Sequence, residues 1–353
     1  MMTTRDLLNT FDDWREQRQQ IVLATVFETA GSTYSKAGAR MLINADGDYQ
    51  GMLSGGCLEG DLAERARQVL DTGTTQMVTY DLGLNDEELW GLGVGCDGLM
   101  KIFLQPLLAE TDYAPFRAIA RMYDGDRTGV AVTVLESEDI DAGATLVSVD
   151  GIIERFGLND AAVTVLTDEA SIALCGNVSS TRQIEIDDAV ATVLFAIIKP
   201  RPRLLILGAG LDAEPVCRLA SELGWRITVF DHRPAYIDNG DFREAEKIVC
   251  SPAAEMSGQL ELSAFDAAIV MSHHLETDRL YLAQLSTTAM PYIGLLGPKD
   301  RRKRLVEDLG DDAASLEGRL HGPAGLDIAA VGPAAIALSI LAEAYEIVAE
   351  GGS

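Results

Sequence analysis

Two glycine-rich turns in the first half of the chain each hold a cysteine: Ser54-Gly55-Gly56-Cys57-Leu58-Glu59 and Gly93-Val94-Gly95-Cys96-Asp97-Gly98. Glycine backbone exposes N–H groups that can cradle an anion. A thiol at the start of a helix is a better nucleophile and metal ligand, because the helix dipole favours its thiolate. Cys57 lies where the first turn meets a segment of helical spacing, so it is the leading candidate for sulfur chemistry. The plainer alternative is a small cysteine packed in a tight turn. Glu59 either belongs to this site or caps the helix. The loop Gly31-Ser32-Thr33-Tyr34-Ser35-Lys36 adds Lys36 and, just beyond it, Arg40, either as anion ligands or as ordinary solvated positions. It lacks the spacing of a P-loop, which excludes a nucleotidase of that class.

In the second half, the apolar run Leu204 to Leu207 ends in Gly208, and Gly210 and Ala213 complete G-x-G-x-x-A. Val216, Leu219, Ala220 and Leu223 follow at helical spacing, Gly224 stops them, and a second strand ends in Asp231. Strand, glycine turn, helix, strand and acid form the context of a dinucleotide site. Gly208 permits the turn, Gly210 admits a phosphate, Ala213 allows close packing, and Asp231 could accept ribose hydroxyls. Arg233 blurs NAD against NADP. Asp212 and Glu214 suit the helix dipole but would repel a pyrophosphate, so the same fold without a nucleotide stays open. A further strand ends in His273-His274, with Asp278 beyond. Neighbouring side chains on extended backbone diverge, so the two histidines are not expected to share a metal. One of them could be a polar site residue, or both lie in an exposed loop. Lys299, Arg301, Arg302, Lys303 and Arg304 place five cations in six residues. They could grip a phosphate or an acidic partner, or form a solvated helix face.

These residues need a frame to position them. The spacing predicts an amphipathic helix over 5–19, a strand over 21–28, a hairpin turning at Asp46-Gly47, a helix over 58–71 and strands at 76–81 and 99–105. Residues 114–123 read as a helix. The segments 130–135, 144–149, 163–166 and 171–175 read as β-rich, and 182–198 ends in the apolar run TVLFAII. Lys199-Pro200-Arg201-Pro202 cannot continue a helix or a central strand and marks a boundary. Later strands are expected near 246–250, 266–272 and 291–296, and a closing helix over about 333–349. The sequence shows no internal repeat.

At 353 residues the chain is long enough for two cores, and its 47% apolar content suits globular domains. A net charge of −27 argues against nonspecific nucleic-acid binding and against an anionic membrane surface. The N-terminal stretch has no signal-peptide core, and no apolar run is long enough to span a membrane. Five cysteines, Cys57, Cys96, Cys175, Cys217 and Cys250, without a C-x-x-C, point to reduced thiols and a cytoplasmic setting.

Taken in order along nearly the whole chain, GSTYSKAGARML, LSGGCLEGDL, GLGVGCDG, KPRPRLLILGAG, VFDHRPAY, MSHH, YIGLLGPKDRRKRL and GLDIAAVGPAAIALSILAEA resemble the XdhC/CoxI family of molybdoenzyme accessory proteins. SGGCLE combined with the later GLLG-basic segment is specific; the glycine fingerprint alone is not. The resemblance implies an N-terminal XdhC/CoxI-type mixed α/β domain over 1–198 and a C-terminal Rossmann-like parallel-sheet domain over 199–353. It implies a non-catalytic chaperone that binds molybdenum cofactor, supports its sulfuration and delivers it to a xanthine dehydrogenase-like molybdenum hydroxylase. A cysteine desulfurase is a further candidate partner, and a homo-oligomer is expected. By resemblance Cys57 stands nearest the cofactor, with Ser54, Gly55, Gly56, Gly95 and Cys96 around it. The chain departs from the family pattern at Leu211-Asp212, where many members carry His-Val. Two other classes stay open: an NAD(P)-dependent oxidoreductase, and a sulfurtransferase carrying a persulfide on Cys57.

Overall fold

The computed structural model describes residues 3–81 and 98–351, so Gly95, Cys96 and their loop up to Asp97 lie outside the described residues. The chain divides at the proline-rich boundary into two compact units, Met1–Pro200 and Arg201–Ser353.

Helix α1 (Thr4–Glu16) begins at a capping box, in which Thr3 and Asp6 satisfy each other's backbone N–H. Strands β1 (Ile21–Gly31), β2 (Arg40–Asn44) and β3 (Tyr49–Gln50) follow, then α2 (Glu59–Thr72), β4 (Gln76–Asp81) and β5 (Gly98–Leu107). The strands form an antiparallel sheet ordered β3-β2-β1-β5-β4. The plan then recurs. Helix α3 (Phe116–Tyr123) precedes β6 (Gly129–Glu136), β7 (Thr145–Val149), β8 (Ile152–Phe156), α4 (Asp160–Gly176), β9 (Ser180–Ile186) and β10 (Ala189–Ile198), in a sheet ordered β8-β7-β6-β10-β9. The first unit is thus a structural repeat with no visible counterpart in the sequence. Many different apolar side chains can bury one face of a sheet, so topology outlasts sequence likeness.

Alternation along β1 shows how each sheet is covered. Val22, Ala24 and Val26 pack with Leu62, Ala66 and Val69 of α2, whereas Ile21 and Leu23 pack with Phe11 of α1 and Phe116 of α3. Helix α4 covers the second sheet through Ala162, Leu166 and Ala170. The two sheets meet through Phe27 and Phe103 against Leu135 and Leu194.

Two expectations for this half need correction. The β-rich segments 163–166 and 171–175 are both parts of α4. Their β-branched residues suggested strands, but buried Ala162, Leu166, Ala170 and Ala173 keep helical spacing and the Asn159 side chain caps the start. Strand β8 is fully solvent-facing apart from Phe156, so it carries no alternation to read. The segment 182–198 falls largely within the β9–β10 hairpin, which turns at Asp187 and Asp188, both at positive φ.

The second unit runs β11 (Arg203–Leu207), α5 (Ala213–Glu222), β12 (Arg226–Asp231), α6 (Pro234–Asn239), β13 (Lys247–Cys250), α7 (Met256–Gln259), β14 (Ala267–Val270), α8 (Leu275–Leu285), β15 (Tyr292–Leu295), α9 (Lys299–Leu309), β16 (Leu320–His321) and α10 (Pro333–Gly351). Its six strands are parallel in the order β13-β12-β11-β14-β15-β16, a Rossmann-like sheet. Helices α5 and α10 cover one face through Val216, Ala220, Ile340 and Leu341. Helices α8 and α9 cover the other through Leu282, Leu285 and Leu305. No helix among the described residues is long and apolar enough to cross a membrane.

Gly208 ends β11 with φ +120°, and a Cβ there would lie 2.6 Å from the Met271 carbonyl oxygen. Both the backbone angle and the neighbouring chain therefore require glycine. Gly208→Ala is expected to destabilise the second unit by about 3 kcal/mol. Gly258→Ala, where a Cβ meets nothing within 4 Å, should stay within about 0.5 kcal/mol of the parent. Denaturant midpoints of the two variants check this contrast.

Candidate functional site

The GST loop and the Cys57 turn meet at one end of the first sheet. Gly31 pairs with Gly98 where β1 ends and β5 begins. A Cβ on Gly98 would lie 2.5 Å from the Ser32 carbonyl oxygen, so the start of β5 packs directly against the GST loop. Ser35 Oγ donates to the Met52 carbonyl at 3.2 Å, and the Tyr34 ring lies 3.7 Å from where a Gly55 Cβ would be. Tyr34, which the motif reading did not single out, is exposed beside the Cys57 turn. Lys36 is exposed on the same loop. Arg40 is corrected: it is buried, with Nη1 donating to the Gly38 carbonyl and the Tyr123 hydroxyl. It braces β2 against α3 rather than facing an anion.

The Cys57 turn is shaped by Glu59. Gly55 and Gly56 take φ of +80° and +110°, which glycine adopts without strain. Glu59 is only 1% exposed. Its carboxylate accepts from the backbone N–H groups of Leu53, Ser54, Gly56 and Leu58 and from the Ser54 hydroxyl, at 2.6 to 3.1 Å. Burial alone would raise the Glu59 carboxyl, but the hydrogen bonds from Ser54 and Leu53 outweigh it and hold the group below the usual carboxylate range. The cradle predicted for a ligand anion is therefore largely filled by the chain's own carboxylate. The N–H groups of Gly55 and Cys57 are the turn's two without an acceptor among the described residues. Cys57 itself is half-buried and has no disulfide.

The repeat gives this end of the sheet a comparison within the same chain. Between strand and helix, the first copy has residues 51–58 and the second only 157–159. Between the last two strands, the first copy has 82–97 and the second only 187–188. The two connections carrying Cys57 and Cys96 are the two most enlarged over their counterparts. In the second copy, Asn159 caps the helix with a single side-chain bond to Ala162 N–H, where the first copy has a buried glutamate and a cysteine.

In the second unit the predicted residues gather at the carboxyl ends of the strands. The sheet changes winding direction between β11 and β14, where open α/β sheets form their binding crevice. Asp231 does not offer itself to a ribose. It is fully buried, and its carboxylate accepts from Ala209 N–H at 2.7 Å and from the Arg233 backbone and guanidinium at 2.7 to 2.9 Å. Burial pushes its pKa up, but these bonds outweigh burial and hold it low. Sequence alone could not tell a buried brace from an exposed acceptor. Ala213 is buried against the sheet, as its place in the fingerprint predicts.

His273 and His274 diverge as expected. His274 caps α8, its Nδ1 accepting from Thr277 N–H at 3.3 Å. His273, at φ +61°, reaches across the crevice to Asp212, with Nε2 and Oδ2 2.7 Å apart. The basic cluster divides. Arg301 is turned inward to buried Asp278, which also receives the Ser272 hydroxyl, both at 2.5 Å. Arg302 packs against Gly322, while Lys303 and Arg304 stay exposed. Among the described residues no three His, Cys, Asp or Glu side chains gather as a metal-holding group.

Comparison with known proteins agrees with the two-unit division. Residues 14–81 match the XdhC and CoxI family and residues 204–344 match the XdhC Rossmann domain. The chain is 32% identical over 335 residues to a probable xanthine dehydrogenase subunit of Bacillus subtilis (strain 168), covering 93% of each. It is 23% identical over 336 residues to the molybdenum cofactor insertion chaperone PaoD of Escherichia coli (strain K12), covering 92% of this chain and 83% of that one. Among solved structures, a xanthine dehydrogenase of Bacillus halodurans superposes with a TM-score of 0.79 at 28% identity, over 99% of this chain and 96% of the other.

Glu59→Gln tests the cradle. An amide nitrogen would face N–H donors, so the variant should lose about 2–4 kcal/mol at neutral pH. The sign with pH follows from a folded-state value below the usual 4.5. The carboxylate's contribution is fully present above 4.5 and is lost as the pH falls through the folded-state value. Denaturant midpoints of parent and variant should therefore converge as the solution is acidified; an unchanging gap would assign the loss to shape alone.

Proposed function

Because the chain belongs to the XdhC and CoxI family, we propose that it is an accessory protein that binds molybdenum cofactor, supports addition of its terminal sulfur and hands it to a xanthine dehydrogenase-like molybdenum hydroxylase. The cofactor is cargo here, and the protein is a carrier rather than a catalyst of repeated turnover. The likeness to PaoD, a molybdenum cofactor insertion chaperone, supports the cargo.

The observation that carries the reading is the Cys57 turn. Its thiol is half-buried on a loop held by Glu59, beside the exposed Tyr34 and Lys36 loop. A thiolate suits a soft metal centre. The N–H groups of Gly55 and Cys57 and the exposed Lys36 ammonium suit the anionic part of a pterin cargo. Gly95 and Cys96, which lie outside the described residues, are assigned to the same proposed site by the family resemblance alone. The sulfur donor in this reading is a cysteine desulfurase, with Cys57 as the thiol that meets either the persulfide or the metal. Five cysteines without a C-x-x-C pair support a cytoplasmic setting. A homo-oligomer remains part of the proposal.

Co-expression with a cofactor-synthesis pathway tests it. Cys57→Ala is expected to retain molybdenum and oxidised pterin at about one tenth of the parent level or less, a loss of about 1.4 kcal/mol or more in binding, with an unchanged circular dichroism spectrum. The loaded parent should also activate a cofactor-free molybdenum hydroxylase. Equal cofactor in parent and variant would make Cys57 a packing residue and move the site elsewhere.

A further inference from the structure

The glycine fingerprint of the second unit looks ready for a phosphate, yet one side chain already stands in its way. A Cβ on Gly210 would lie 2.7 Å from Asp212 Oδ1. The space that this glycine leaves open is therefore filled by a carboxylate of the same loop. Asp212 occupies the cap position of α5 but makes no side-chain hydrogen bond to the first helical turn, although aspartate is favoured there for that bond. Its other oxygen, Oδ2, is instead 2.7 Å from His273 Nε2, contributed by the chain leaving β14. The contact spans the two strands between which the sheet changes winding direction.

His273 reaches this position at φ +61°, in the left-handed region that non-glycine residues seldom occupy. It is also exposed, so no packing demand accounts for its placement. Cations at neighbouring strand ends do not offset the Asp212 charge, because Arg233 is paired with Asp231 and Arg301 with Asp278. Glu214, the other acid of the first turn, accepts from Asp241 N–H at 3.2 Å instead of facing the loop.

We propose that Asp212 sets what this crevice admits: its carboxylate, held by His273, takes the place of a ligand phosphate and excludes phosphate-bearing ligands from Gly208–Ala213. A phosphate would have to displace Asp212 from Gly210 and then meet its charge at close range, where repulsion is weakly screened. Uncharged ligands that hydrogen-bond to the carboxylate meet no such barrier. The inference goes beyond the carrier reading and concerns the second unit alone, so its failure would leave the role of Cys57 untouched.

Calorimetric titration of the full chain with ADP, and separately with inorganic pyrophosphate, tests the proposal. Asp212→Ala should bind ADP about tenfold or more tightly than the parent. Asp212→Asn, which keeps the size and the contact with His273 but removes the charge, should fall between them. Glu214→Gln should behave as the parent. The proposal is overturned if neither Asp212 variant gains affinity, or if Glu214→Gln gains as much as they do. Should Asp212→Ala fail to fold, the near-isosteric Asp212→Asn decides the question by the same measure.

Discussion

A sharp glycine turn strands several backbone N–H groups inside the protein, and each must find an acceptor. In both units this chain supplies the acceptor as a buried carboxylate. Glu59 gathers four N–H groups of the turn before α2. Asp231 takes the Ala209 N–H of the turn after β11 and is neutralised by Arg233. Burial works against both charges, and hydrogen bonding more than compensates. Much else depends on this. The Cys57 thiol is presented by a turn whose geometry Glu59 fixes, and the mouth of the Rossmann-like sheet is fixed by Asp231.

The same economy explains the distribution of positive charge. A chain with net charge −27 has few cations to leave idle. By residue type and spacing, Arg40, Arg233 and Arg301 are all candidates for ligand contact or cofactor choice, yet each is turned to an internal acceptor. What faces solvent near the motifs is Lys36 in the first unit and Lys299, Lys303 and Arg304 in the second. Motif spacing could place these side chains near a site, but only the folded chain shows which way they turn.

The second unit was the more legible half. Its central strands β11, β12, β14 and β15 are buried and read as short apolar runs, and Gly208, Gly210 and Ala213 sit between strand and helix as their spacing predicts. The boundary at the proline-rich segment was equally plain. The first unit was harder. The β-branched residues of α4 imitated strands, and β8, exposed along its length, had no pattern to detect. Cys57 and Glu59 stand out as candidates in the sequence because a glycine turn separates them from the preceding strand. That Glu59 fills the turn's interior depended on a three-dimensional closure that residue types alone do not specify.

Repetition in the first unit separates two jobs that most small domains must combine. Both copies build the same frame of helix, three strands, helix and two strands. In the copy over 116–198 the corresponding connections are a capped three-residue link and a two-residue turn, and the copy packs its own core under α4 while backing the neighbouring sheet through Leu135 and Leu194. The earlier copy can then carry long, glycine-rich connections at its end, because half of the scaffolding is borne by a sibling that hosts no motif. Such a division of labour lets sequence drift and loop growth concentrate at one rim while the supporting layer behind it stays plain.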